Sequence, residues 1–479
     1  MVAVAEKTKD ISVKFYRSVL FNVIIDGLVS FLLPGLWYSL NYIGAAGLAD
    51  PRQVNGANAV TFGIMIPGCT LAAVLANRTS LKWVLFAGAV LYTPYAAALY
   101  TLNRYNNIPF LYGGSVLCGL GASLFWCTES AIAIAYPLPH ERGRMVSIWL
   151  GIRQFGMILG GAISLGYNIK GDSTGKISYS TYYAMIALMC LSGPAALLLS
   201  NPRKVRRSDG SHVKFAKNFN LKDEVIKIKN LATSRYLLAL IPIFIFGQWG
   251  TVYQSNYLTT YFTVRTRALA SLLAGIVSLI SNLSVGWFLD QTRWNQRTRA
   301  AIVWIFLAVT ISGAWIWNAI LQARFSEDVN NGKTIALDWE GSTGRFNSAF
   351  AVYVLWKFLY ESLETLLYWI MGCYNGGVND ITRTTGLIRS YQSIGSTFSY
   401  VVGAGLWPYF NQMILSLAFW FACLIPTCYA IYIVPKEEQV IDPVDELTST
   451  DSDYEKGSPP ETGNTTPIPP DGYNKETKL

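Results

Sequence analysis

The stretches Ala73-Val-Leu-Ala-Asn-Arg-Thr-Ser-Leu-Lys82 and Gly286-Trp-Phe-Leu-Asp-Gln-Thr-Arg-Trp-Asn295 decide how this chain is read. Each is a short polar turn that follows one long apolar run and opens onto another. Such a turn can place an acid at a helix end with cations beside it, which can lock neighbouring helices on one side of a membrane. Their recurrence in the two halves of the chain marks an internal repeat.

Working outward from these turns, twelve stretches are long and apolar enough to cross hydrocarbon, which takes about 20 residues as a helix. Six lie near 17–42, 54–76, 82–102, 109–136, 145–168 and 179–200. Six more lie near 236–262, 267–289, 300–322, 347–375, 387–406 and 412–434, with 267–289 and 387–406 the least hydrophobic. The runs are too long and continuous for a β-barrel, whose strands alternate over about 10 residues. Composition agrees. The 479 residues are 52% hydrophobic and 14% charged, whereas soluble domains carry about 25% charge. That charge deficit excludes a string of soluble domains, and the hydrophobicity excludes a disordered chain. Seven Cys and two His leave little room for a disulfide scaffold or a zinc domain. The first sixteen residues are polar, and the first apolar run is too long for a cleaved signal and contains Asp26, so it reads as the first span.

Orientation follows from the positive-inside rule. With the N-terminus in the cytosol, cytosolic segments before residue 435 hold 23 Lys and Arg, ten of them in 201–235, and the opposite loops hold nine. The basic charge is therefore a topology signal, and no nucleic-acid partner is expected. The predicted organisation is a cytosolic N-terminus (1–16), a six-helix bundle (17–200), a basic cytosolic linker (201–235), a second six-helix bundle (236–434) and an acidic cytosolic tail (435–479). The tail has eleven acids and four bases and reads as disordered. Its sequon at Asn464 is not expected to be glycosylated. Asn77-Arg-Thr is cytosolic on this topology, and Asn282-Leu-Ser is inside a span. All seven Cys fall in spans and read as small apolar packing residues.

A second pairing supports the repeat. Arg142-Gly-Arg144 enters the fifth span and Arg383-Thr-Thr-Gly-Leu-Ile-Arg389 the eleventh. Gln154-Phe-Gly156 and Gln392-Ser-Ile-Gly395 follow, and small residues there allow close helix packing.

Both turns resemble the loop G-x-L-A-D-R-x-G-R-K of the major facilitator superfamily. The first keeps Leu75, Ala76, Arg78 and Lys82 but has Asn77 in place of the acid. The second keeps Gly286 and Asp290, loses the next Arg, and has Arg293 nearby. Further stretches are similar to the unc-93-like branch of that superfamily, particularly its fungal members. They are Asp26-Gly27, Pro34-Gly-Leu-Trp-Tyr-Ser-Leu-Asn41, Gly44-Ala-Ala-Gly47, Trp126-Cys-Thr-Glu-Ser-Ala131, Tyr136-Pro137, Gly143-Arg-Met-Val-Ser-Ile-Trp149, Gly156-Met-Ile-Leu-Gly-Gly161, Arg265-Thr-Arg-Ala-Leu269 and Tyr368-Trp-Ile-Met-Gly372. The likeness covers most of 17–434. It implies an all-α membrane protein, with twelve helices in two pseudo-symmetric bundles and spans one, four, seven and ten around a central cavity. It implies function less directly, because the family holds transporters and also channel regulators and receptor-trafficking factors.

A charge at the centre of a span costs about 2.5–3.5 kcal/mol on insertion scales and is a functional candidate by default. Asp26, Glu129, Arg153, Lys357, Glu361 and Glu364 qualify. Lys357, Glu361, Glu364 and Tyr368 share one helical face. Glu361 can pair with Lys357 one turn away, which leaves Glu364 without a partner on its helix. A carboxylate buried alone favours its protonated form, as a proton-coupled carrier requires. The alternatives are structural: a Lys357–Glu361 pair offsetting its own burial, and polar contacts holding Asp26 and Glu129 between helices with Arg153. Arg153, close to a cytosolic loop, can also snorkel. On span seven Gln248, Tyr253 and Asn256 could bond a polar substrate. Trp37, Tyr38, Trp356 and Tyr360 read as packing or as cavity lining. Pro34-Gly35 predicts either a kink or a broken helix of the transporter type.

No cofactor, metal or enzymatic chemistry is expected. Gly171-Asp-Ser-Thr-Gly-Lys-Ile177 is one residue short of a P-loop and ends in Ile. His140 and His212 form no metal motif, and no nucleophile–base set is evident. Gly156-x-x-x-Gly-Gly161 lacks the Pro of the drug-antiporter motif. The expected function is a secondary transporter, working by alternating access on a small organic molecule, with protons as candidate coupling ion and efflux as candidate direction. Its substrate or proton site would draw on Asp26, Glu129, Lys357, Glu361, Glu364, Gln248, Tyr253 and Asn256, and its gating loops on Asn77, Arg78, Lys82, Asp290 and Arg293. The alternative is a non-transporting regulator or trafficking partner of another membrane protein. The lipid bilayer is a partner in either case, and the plasma membrane is the expected location.

Overall fold

The computed structural model describes residues 14–43, 51–138, 141–170, 177–213, 220–340, 343–374, 378–405 and 407–436. The Gly44–Gly47 run, His140, Gly171–Lys176 and the acidic tail beyond Lys436 lie outside the described residues.

Each of the twelve apolar stretches folds as helix. The first six spans are Val19–Tyr42, Pro51–Arg78, Leu81–Tyr105, Ile108–Ala135, Arg142–Asn168 and Tyr179–Leu197. The second six are Arg235–Tyr261, Val264–Leu289, Gln296–Asn330, Thr343–Tyr374, Val378–Ala404 and Tyr409–Tyr432. Ten of them are long and apolar enough to cross a membrane by length and composition. The other two are as long but carry Lys357, Glu361 and Glu364 (span ten) and Asp380, Arg383 and Arg389 (span eleven). The eighth span, expected among the least apolar, has an 18-residue stretch with a mean hydropathy of 1.9.

Local chemistry sets the helix ends and bends. Asn107 and Asn295 cap spans four and nine by accepting the N–H of Phe110 (3.1 Å) and Thr298 (2.9 Å), which satisfies donors that a helix start leaves orphaned. Span three divides at Pro94, and span six divides between Cys190 and Ser192. In span one, Pro34 has no N–H to give, and the helix widens to a π turn over Phe31–Gly35 before continuing as Leu36–Tyr42. The span is bent but unbroken.

Outward-facing apolar side chains such as Leu71, Ile305, Val309 and Ile425 are exposed. In water such a surface would be a liability; against lipid tails it meets a matching solvent. Trp149, Trp315 and Trp420 are among the largest fully buried side chains. The seven Cys are free thiols, five of them buried.

The halves meet along two helix pairs, span two with span eleven and span five with span eight. Close approach there requires glycine. A Cβ on Gly161 would stand 2.5 Å from the Leu272 Cα, and one on Gly386 would stand 2.8 Å from the Cys69 carbonyl oxygen. Polar contacts then tie the halves at both ends. At the end away from the linker, Ser271 donates to the Ser39 carbonyl (3.0 Å), Asn55 to Asn256 (3.2 Å), Ser255 to the Asn41 carbonyl (3.1 Å) and Arg267 to the Ile43 carbonyl. At the linker end, Arg142 donates to the Gly372 carbonyl.

The linker contributes a latch at that same end. Its helix, Leu221–Ala232, starts at the Asn220 cap, and its buried Glu224 takes both Nε (2.9 Å) and Nη2 (2.6 Å) of Arg383 on span eleven. The same carboxylate accepts from Asn77 Nδ2 of span two at 2.7 Å. One linker side chain thereby bridges the two halves, and it meets Asn77 where the resemblance leads one to expect an acid. Partial burial alone would raise the Glu224 carboxyl. The hydrogen bonds from Arg383 and Asn77 and the charge of Arg383 outweigh it and hold the carboxyl below the usual carboxylate range.

Two outcomes are expected. Gly161→Val should lower stability by about 1–3 kcal/mol through overpacking, whereas Gly166→Ala, where a Cβ meets nothing within 4 Å, should cost nothing; thermal unfolding in detergent compares them. A depressed carboxyl stabilises the latch at all pH values above its unfolded-state value of about 4.3 and loses that contribution as pH falls through its lower folded value. Hydrogen-exchange protection of the linker helix, corrected for intrinsic rates, should therefore stay level from about pH 8 to about pH 5 and fall in Glu224→Gln throughout. A decline in the wild type within that window would contradict the latch.

Candidate functional site

The intramembrane charges gather where spans one, four, five, ten and eleven approach each other. Arg153 of span five pairs with Glu361 of span ten at 3.1 Å, both side chains under 5% exposed. This corrects two expectations. Glu361 does not pair with Lys357, although the helix puts them one turn apart, because the Arg153 guanidinium reaches it from the other half. Arg153 does not snorkel, because a buried carboxylate holds it inside. Its guanidinium also stands 5.7 Å from the Trp126 ring centre and 5.9 Å from that of Trp149. Lys357 turns instead to Gln254 Oε1 (2.9 Å) and lies 3.8 Å from the Tyr42 ring centre. Glu364 accepts from Gln392 Nε2 at 2.8 Å.

The carboxylates of the first half are placed differently. Glu129 Oε2 accepts from the Ser30 hydroxyl and from Trp149 Nε1 (3.2 Å), while Oε1 has no partner among the described residues. Asp26 is fully buried, and neither of its oxygens has a hydrogen-bond partner among the described residues. Arg153, the expected cation for both, is paired elsewhere.

A narrow cleft lies beside this cluster, lined by Trp37, Tyr38, Thr61, Phe62, Met65, Tyr92, Ala122, Trp126, Gln248, Arg389, Gln392 and Ser393. Spans one, four and seven face it as expected, with two, three and eleven in addition. Span ten does not border it. Its Trp356, Leu359, Tyr360 and Leu363 line a second cavity with spans seven and nine.

The span-seven candidates separate. Gln248 borders the cleft and donates to the Tyr360 hydroxyl at 2.5 Å. The Tyr253 hydroxyl contacts Asn318 (2.8 Å) and Gln322 (3.1 Å) on span nine, a packing role inside the second half. Asn256 belongs to the contact with Asn55 between the halves. Among the turn residues, Asn77 joins the latch, Lys82 donates to the Leu197 carbonyl (2.9 Å), Arg78 is exposed, and Arg293 lies over its neighbour Trp294. Asp290 stands against Gly143, at a spot that a Cβ would occupy. The turn residues thus contact different partners.

Arg389, Gln392 and Glu224 enter the site and the latch without having been singled out as candidates. Hydropathy starts span eleven at residue 387, which makes Arg389 an orientation charge at its edge. The helix starts at Val378, and Arg389 is then about 16 Å inside it at 1.5 Å per residue. The signal available was the i, i+3 spacing of Arg389 and Gln392, which share a face.

Residues 18–328 match the family described as the Major Facilitator Superfamily. The chain is 33% identical over 421 residues to the notoamide biosynthesis cluster protein O′ of Aspergillus versicolor, covering 88% of this chain and 90% of that one. It is 27% identical to an UNC93-like protein of Schizosaccharomyces pombe over 83% of this chain and 79% of the relative. It is 25% identical to UNC93-like protein 1 of Arabidopsis thaliana over 84% and 87%. In fold it is similar to the partially occluded, inward-open xylose transporter XylE from E. coli, with a TM-score of 0.61 at 13% identity, covering 88% and 99% of the two chains. With twelve spans in two halves, a cleft between them and these relatives, the chain belongs to the major facilitator superfamily, in its unc-93-like branch.

Proposed function

We propose that this protein is a secondary transporter that carries a small organic molecule through the cleft by alternating access of its two halves, coupled to protons and directed outward. The observation that carries the reading is the Arg153–Glu361 pair, an ion pair that spans the halves at the level of the cleft and must break when they separate. Beside it, Asp26 has no partner and Glu129 no cation within salt-bridge distance among the described residues. An unpaired carboxylate is costly as a buried anion and takes up a proton; water readmitted by opening of the halves releases it. Glu364, whose hydrogen-bond partner among the described residues is the neutral Gln392, is a third proton candidate. Superfamily membership supports transport. The name of the 33% identical relative, a biosynthesis cluster protein, supports a metabolite as cargo and export as direction. The positive-inside bias supports cytosolic termini, and the plasma membrane is the proposed site.

The cargo is sought by comparing metabolites in the medium of cells with and without the protein, and its movement is then measured in proteoliposomes. Asp26→Asn and Glu129→Gln should abolish accumulation driven by a pH gradient while leaving exchange of cargo across the membrane. If pH-driven accumulation survives both these changes and Glu364→Gln, the coupling assignment is wrong. If no compound moves and a stable protein partner co-purifies, the chain is a regulator or trafficking partner instead. A separate outcome concerns the ion pair. Glu361→Gln alone leaves a buried guanidinium uncompensated and should destabilise the protein by roughly 3–5 kcal/mol. The double change Arg153→Met, Glu361→Leu should recover most of that loss in thermal unfolding.

A further inference from the structure

Arg389 lines the cleft yet is almost fully buried, at 4% exposure. A guanidinium carries five N–H donors. Here Nη1 donates to Gln392 Oε1 at 2.8 Å, while Nε and Nη2 have no hydrogen-bond partner among the described residues. No carboxylate stands within salt-bridge distance of it among those residues, whereas Arg153, Arg265, Arg345 and Arg383 each have at least one. Glu364 does not fill that role. The Gln392 side-chain amide lies between them, accepting from the guanidinium and donating to the carboxylate.

The unused atoms are chemically specific. Nε–H and Nη2–H lie on one edge of the planar guanidinium and point the same way, the fork that two oxygens of one carboxylate accept side by side. The Cζ of the same group lies 4.0 Å from the Trp126 ring centre and 5.2 Å from that of Tyr368. The two rings hold the guanidinium in place, while Nε and Nη2 keep unused donors beside the cleft. The rest of the cleft is apolar and aromatic where Trp37, Phe62, Met65 and Trp126 line it.

We infer that the cleft binds an organic carboxylate, its carboxyl group on the Nε–Nη2 edge of Arg389 and its apolar or aromatic body against Trp37, Phe62 and Trp126. The inference deepens the transporter reading and rests on it for its meaning, since it names the class of cargo.

Binding alone tests it. The purified full chain in detergent is titrated with benzoate, indole-3-acetate and octanoate, with the amide of each, and with phenyl phosphate, and the melting temperature is followed, because a ligand of the native state raises it. At least one carboxylate should raise it in a saturable manner, and its amide should not. Arg389→Gln should weaken that carboxylate at least tenfold. Arg389→Lys, which keeps the charge and loses the fork, should also weaken it. Equal stabilisation by acid and amide, undiminished binding to Arg389→Gln, or no shift with any carboxylate would overturn the inference. Preferential binding of phenyl phosphate would overturn the carboxylate assignment. The comparison of acid with amide on the wild type stands even if a variant fails to fold. No gradient is involved, so carboxylate binding without transport sinks only the transporter reading, and transport of another compound without carboxylate binding sinks only this inference.

Discussion

The Arg153–Glu361 pair is the contact on which the arrangement of the site turns. It joins the two halves at 3.1 Å in an interior that leaves both side chains under 5% exposed. Taking two charges out of water costs several kcal/mol each, and their attraction offsets this only when the geometry is good. The pair therefore holds the halves together without making them inseparable. Because Arg153 is committed to Glu361, it is withdrawn from Asp26 and Glu129, and because Glu361 is committed to Arg153, Lys357 turns to Gln254 and Tyr42. Each neighbouring charge is left in the state that this choice imposes.

Around it the halves are closed by contacts of a different kind. Glycines let spans five and eight, and spans two and eleven, approach to backbone distance, where dispersion and helix packing hold them. At both ends the tie is made of single hydrogen bonds to carbonyls and amides, charge-assisted for Arg142 and Arg267 and individually weak for the neutral donors. The Glu224 latch differs in being bidentate, with a charge on both partners. It sits on the linker, so the segment that connects the halves in sequence also clamps them in space.

The fold was legible in the sequence because a membrane span is a local property. About 20 apolar residues make a helix in lipid whatever else the chain contains, since every backbone group must be satisfied within the segment. The polar turns after Ala76 and Leu289 marked the repeat for the same reason. The charges of the site were legible as a set too, because a charge within an apolar run stands out against its neighbours. Arg389 escaped because hydropathy places a span boundary by composition, and the polar start of span eleven shifted that boundary past the residues that matter. Glu224 escaped because a basic linker gives no sign of which of its few acids turns inward.

The sequence by itself determined that the chain crosses the membrane as helices in two related halves, and most of the titratable residues that lie within them. Only the tertiary structure decided their partners. A helix fixes neighbours at three and four residues, but Arg153 meets Glu361, Gln392 meets Glu364 and Asn77 meets Glu224 across helices that sequence spacing does not relate. Lys357 and Glu361 show the consequence. They stand one turn apart on one face, and yet each is satisfied by a group from elsewhere, because in a low-dielectric interior the partner with the better geometry takes the charge.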